Sequence, residues 1–83
     1  ALKQKVIETL SKSRAGKAYL DEAAKYNVNI LVSSQVETAL YDRKSLEIMI
    51  SPNHDFETIV LLTARELRRH WQHRQGALMS PRI

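Results

Sequence analysis

The sequence predicts an α+β fold with one or two N-terminal helices, a short antiparallel sheet of about three strands, and a long C-terminal helix. Three observations predict it. Apolar residues recur at helical spacing over residues 2–10 and again to about Tyr26. Short alternating or apolar runs follow at residues 28–33, 38–41 and 46–50. Finally, Phe56, Val60, Thr63, Leu67 and Trp71 form one stripe at 100° per residue over residues 55–75.

The first helix rests on Leu2, Val6, Ile7 and Leu10, and the Ser11-Lys12-Ser13 run interrupts it. Ser13 can accept a backbone N–H and start a second helix, with Ala15, Ala18, Tyr19, Ala23 and Tyr26 facing inward. A single kinked helix is the alternative. Asn27 suits a left-handed stop, because its short polar side chain tolerates positive φ. Ile30-Leu31-Val32 then reads as a short buried strand. The polar Asp42-Arg43-Lys44-Ser45 run makes the next two strands a hairpin, with Leu46, Ile48 and Ile50 on one face. Pro52 ends the last strand, and Asn53 or Asp55 can cap the long helix. Gly76 is the expected stop of that helix, since glycine readily takes the left-handed conformation.

With 83 residues, 43% of them hydrophobic, the chain is expected to form one small domain over 1–83 with a modest core. It has no cysteine, which excludes disulfides and thiolate metal sites and suggests a cytoplasmic protein. No apolar run is long enough to span a bilayer, so no membrane partner is expected. The charge of +4 is unevenly placed. Arg65, Arg68, Arg69, Arg74 and Arg82 face only Glu66 in residues 65–83, whereas the preceding residues balance. Arg65, Arg68, Arg69 and Arg74 are therefore candidate binding residues for nucleic acid or another acidic partner. With no DNA-reading motif in the chain, and with Arg65, Arg68 and Arg69 on no single narrow stripe, that reading is an alternative and not the leading one.

On the long helix Glu66, His70 and His73 stand at i, i+4 and i+7, within about a 60° arc. Three such side chains on one face could hold zinc. The alternative is an ion pair of Glu66 with Arg68 or Arg69, leaving the histidines as polar flanking residues. Trp71 could stack on a base, but its place in the apolar stripe favours packing.

The run Arg65-Glu66-Leu67-Arg68-Arg69-His70-Trp71-Gln72 resembles the helix of a family of uncharacterised bacterial metallopeptidase-like domains of the zincin type. The family pattern there is HELRHxWQ, a form of HExxH. The strand at residues 46–52 and the upstream helix ending at Tyr26-Asn27 are similar as well. The resemblance implies the N-terminal half of a zincin-like fold, with 1–83 as part of a longer domain. In the active relatives two histidines bind zinc and the glutamate is general base on the metal-bound water. Here Glu66 stands at the glutamate position, and Arg65 and Arg69 stand at the two histidine positions. Arginine has no lone pair to offer a metal. His70 lies one residue, or about 100°, beyond the second ligand position.

No cofactor is therefore expected, and the leading reading is a degenerate metallopeptidase-like domain without catalysis, acting as a binding or structural module. Glu66 would hold the place of a base without its metal. Two readings of the arginines stay open: fixed positive charge beside Glu66 in place of zinc, or two solvated side chains. A zinc-dependent hydrolase using Glu66, His70 and His73, with help from His54 or Asp55, remains an alternative. A further partner is a second copy of the chain, docked through Leu61, Leu62, Leu78 and Met79 on an uncovered helix face.

Overall fold

The computed structural model describes residues 1–79, with side chains described through Gly76. Its elements are α1 (Leu2–Leu10), α2 (Arg14–Lys25), β1 (Asn29–Val32), β2 (Ala39–Asp42), β3 (Glu47–Ile50) and α3 (Phe56–Met79). The α+β class is the predicted one. Among these elements no helix is long and apolar enough to cross a membrane.

Several local signals act as the sequence suggests. Ser13 Oγ accepts the Gly16 N–H at 2.9 Å and starts α2, so the N-terminal segment is two helices and not one kinked one. Asn27 takes φ 59°, Asn27 N–H bonds to the Ala24 carbonyl, and Val28 N–H reaches back to the Ala23 carbonyl at 2.9 Å. This pair of bonds satisfies the carbonyls left open at the end of α2 and turns the chain into β1. Asp55 Oδ1 accepts the Thr58 N–H at 3.0 Å and caps α3. Between β2 and β3, Asp42 Oδ1 accepts from the Lys44 and Ser45 N–H groups. Those bonds hold its carboxyl below the usual carboxylate range.

The sheet is mixed and not antiparallel throughout. Its order is β1-β3-β2, with β1 parallel to β3 and β2 antiparallel to it. Residues 33–38 carry the chain past the end of β3, so the consecutive strands β1 and β2 become the two edges. Leu46 does not join Ile48 and Ile50 as expected. It sits at φ 57° ahead of β3, closing the turn, while its carbonyl accepts the Asn29 N–H.

Register places Ile30, Ile48 and Tyr41 in one row across the inner face of the sheet. Ile30, Ile48 and Ile50 pack with Val6, Leu10, Ala23, Ile59 and Leu67 to form the core. The edge position leaves the Tyr41 ring and its backbone N–H available to α3.

Three helix expectations change. On α2 the covered positions are Gly16, Tyr19, Leu20 and Ala23, whereas Ala15 and Ala18 are exposed. On α3 the fully buried stripe is Ile59, Thr63, Glu66, Leu67 and His70. Phe56 is 39% exposed and Trp71 half-buried, because α3 turns a partly polar face to the sheet. The helix also runs through Gly76 to Met79, since glycine permits a left-handed stop without imposing one.

Gly16 is required where α1 meets α2. A Cβ there would collide with the Leu10 carbonyl and approach Ser13 Oγ. Gly16→Ala is expected to lower stability by about 1–3 kcal/mol in urea unfolding. Gly76→Ala, which meets nothing nearby, should raise it by roughly 0.5–1 kcal/mol through helix propensity. Equal effects from the two variants would contradict this account of Gly16.

Candidate functional site

The three side chains of the alternative metal site, Glu66, His70 and His73, are turned toward one residue, Tyr41. Its backbone N–H donates to Glu66 Oε1 at 3.1 Å. Its hydroxyl pairs with His73 Nδ1 at 3.2 Å. Its ring stands edge-on to that of His70, with centroids 5.5 Å apart. The i, i+4, i+7 spacing does bring Glu66, His70 and His73 to one side of α3, but each meets a different part of the edge strand.

His70 is 0% exposed, a core residue and not a polar flank. The Tyr26 ring also meets it edge-on, with centroids 5.9 Å apart. Arg74 Nε donates to His70 Nε2 at 3.3 Å, and the Arg74 guanidinium lies 4.0 Å over the Tyr26 ring. Burial lowers the His70 pKa, the Arg74 and His73 charges lower it further, and Glu22 opposes them. The ring is therefore neutral near pH 7. With Nε2 accepting, the proton belongs on Nδ1, and Nδ1 has no partner.

Glu66 is 3% exposed. Arg69 Nη1 lies 3.7 Å from Glu66 Oε1, the ion pair that the helical spacing offers in place of a metal site. Arg65 and Arg68 are exposed and make no ion pair among the described residues. Arg74, grouped with them in the sequence, is instead packed between Tyr26 and His70.

The other candidates lie elsewhere. His54 Nε2 bonds the Glu37 carbonyl at 2.7 Å, and Asp55 caps α3. Both are about 22 Å along the helix from His70, too far to share a ligand with it. Trp71 packs against Tyr19 with centroids 5.8 Å apart. Leu61 is 70% exposed and Leu62 half-buried, while the side chains of Leu78 and Met79, and the whole of Arg82, lie outside the described residues.

Beside Tyr41 an open depression of about 420 Å³ is lined by Tyr41, Arg43, Arg69, Gln72 and His73. Burial lowers the His73 pKa, helped by the Arg43 and Arg74 charges, so this ring too is neutral near pH 7. Burial raises that of the Tyr41 phenol, against the pull of Arg74 and Arg43. Sequence reasoning singled out Arg69 and His73 but missed Tyr41, Arg43 and Gln72 as site residues. Nothing in the sequence ties a hairpin turn at residue 43 to a helix turn at 69–73.

The residues do not fit zinc in the manner of HExxH. Arg65 and Arg69 offer no donor atom, and the Arg74 guanidinium covers the accepting nitrogen of His70. Among the described residues no three His, Cys, Asp or Glu side chains converge on a common point.

A family model described as "putative metallopeptidase family (DUF6782)" matches residues 1–83. Comparison with curated proteins and with solved structures gave no match.

Proposed function

The chain belongs to the putative metallopeptidase family, and we propose that it is a member that binds without hydrolysing. Support comes first from Glu66. The carboxylate at the general-base position is buried, holds the Tyr41 N–H and lies beside Arg69. A general base must reach the water it activates, and this one faces the edge strand. Arg65 and Arg69, at the positions that match the family's histidines, supply charge but no ligand atoms. The fold is thus retained with its metal chemistry removed, leaving a positively charged face suited to an anionic partner.

The arginine face does not favour nucleic acid as that partner. Arg74 points about 180° around α3 from Arg65 and is engaged with Tyr26 and His70, so the four arginines form no continuous phosphate track.

Zinc titration of the metal-stripped chain by calorimetry near neutral pH tests the proposal. No saturable one-to-one heat is expected, and no cleavage of an unfolded protein substrate with zinc present. Tight one-to-one binding that disappears in both His70→Ala and His73→Ala would overturn it and restore a Glu66, His70, His73 metal site.

A further inference from the structure

We propose that the depression between the β2–β3 turn and α3 binds a phosphomonoester dianion. The Arg43 and Arg69 guanidiniums would hold it from opposite rims, with the Gln72 amide and the His73 ring beside them. The two arginines reach the depression from unrelated elements, one on the hairpin turn and one on the helix. A ligand seated there would be gripped from two sides, as planar guanidinium forks grip oxyanions.

Charge selects the dianion. Among the described residues Arg43 has no carboxylate at ion-pair distance, and Arg69 has only the 3.7 Å contact to the buried Glu66. Asp42, the carboxylate next in sequence to Arg43, stays ionised and is held by the Lys44 and Ser45 N–H groups, at no ion-pair distance from Arg43. Arg74 adds a third positive charge behind His73, and both His73 and Tyr41 are neutral. Arg43, Lys44, Arg69 and Arg74 against Asp42 and Glu66 leave a net of about two positive charges around the turn and the helix, which a phosphomonoester matches near pH 7 with about −1.5 to −2. A carboxylate or a phosphodiester brings one negative charge per group and matches less well.

The neutral groups fit the same ligand. Gln72 is exposed at the rim and carries two N–H donors. His73 uses Nδ1 toward the Tyr41 hydroxyl, which leaves Nε2 as the ring atom free for a ligand. Arg65, one turn before Arg69 on the same side of α3, extends the positive field without lining the depression.

This inference deepens the metal-free reading of the site and rests on it, because Arg69 is here a ligand-binding residue at a position that matches a metal ligand of the family. The two fail separately. Zinc binding would remove the metal-free reading, whereas absence of phosphate binding would remove only this one.

The test is NMR titration of the ¹⁵N-labelled full chain with inorganic phosphate and, separately, with phosphoserine, in low-chloride buffer at pH 7.5. Saturable shifts are expected in the Arg43 and Arg69 Nε–H and Gln72 side-chain amide signals. Arg43→Ala, an exposed turn position, should leave the melting temperature unchanged and weaken binding roughly tenfold or more. Arg43→Lys should recover only part of the loss, since an ammonium cannot bind bidentately. A response to phosphoserine alone would assign the site to phosphorylated ligands rather than free phosphate and still support it. Absence of saturation with both probes, equal affinity for acetate, or binding unaffected by Arg43→Ala would overturn it. Tight binding of single-stranded DNA that survives Arg43→Ala would do the same, in favour of a diffuse polyanion surface.

Discussion

Replacing His70 by alanine is expected to remove about 2–4 kcal/mol of stability, the usual cost of truncating a fully buried ring-sized side chain. For a chain of this length the total is roughly 4–12 kcal/mol. The loss would come from the contacts with the Tyr26 and Tyr41 rings and from the acceptor that Arg74 Nε uses. His70→Phe should cost much less. It keeps the ring contacts and discards the unpartnered Nδ1, whose burial costs on the order of 1–3 kcal/mol.

The same residue sets a pH dependence. The folded-state pKa of His70 lies below its ordinary value of about 6.5. Between those two values the unfolded chain binds a proton that the folded chain does not. Unfolding is then favoured as pH falls, and stability rises with pH across that window. The full contribution is present above about pH 6.5 and is lost as pH falls through the folded value, at no more than about 1.4 kcal/mol per pH unit for one histidine. Burial is the largest cause of the shift, and the charged groups around His70 divide: Arg74 and His73 on α3 oppose its protonation, while Glu22 on α2 favours it. His73 is shifted the same way and adds to the slope. Urea unfolding between pH 5 and 8 checks this. A flat profile in the natural chain, or an equally steep one in His70→Phe, would remove His70 as the cause.

Elements governed by local chemistry were legible in the sequence. The Ser13 and Asp55 caps, the Asn27 stop and the Asp42–Ser45 turn depend on residues a few positions apart, and each acts as its side chain suggests. The parallel pairing of β1 with β3 was not legible. Nothing in Ile30-Leu31-Val32 says which neighbour it will meet or in which direction. The buried face of α3 was misread for a different reason. A periodicity built on apolar residues follows Phe56, Val60 and Trp71, but the face pressed against β2 and α2 includes Glu66 and His70. Polar residues are covered there because the Tyr41 N–H and the Arg74 side chain meet them. The candidate site was half-visible for the same cause. Its helix side was found from spacing, and its hairpin side, Tyr41 and Arg43, comes from long-range packing.

Glu66 gives the sharpest separation between a catalytic relic and a structural bond. Glu66→Ala is expected to lower stability by about 2–4 kcal/mol, because it empties a buried position and leaves the Tyr41 N–H without its acceptor. Glu66→Gln keeps an oxygen in place and loses only the charge on that hydrogen bond, so about 1 kcal/mol is expected. The two variants should also differ at a single amide. Hydrogen exchange at Tyr41 N–H should accelerate strongly in Glu66→Ala and little in Glu66→Gln, beyond any change shared with the core. Arg69→Ala should cost no more than a few tenths of a kcal/mol, since its guanidinium is exposed and 3.7 Å from the carboxylate. A working general base gives the opposite ordering. There Glu66→Gln would abolish hydrolysis while leaving stability intact, and Glu66→Ala would add little further. If Tyr41 exchange proves the same in all three variants and the natural chain, the bond from Glu66 to the edge strand does not hold the hairpin against α3.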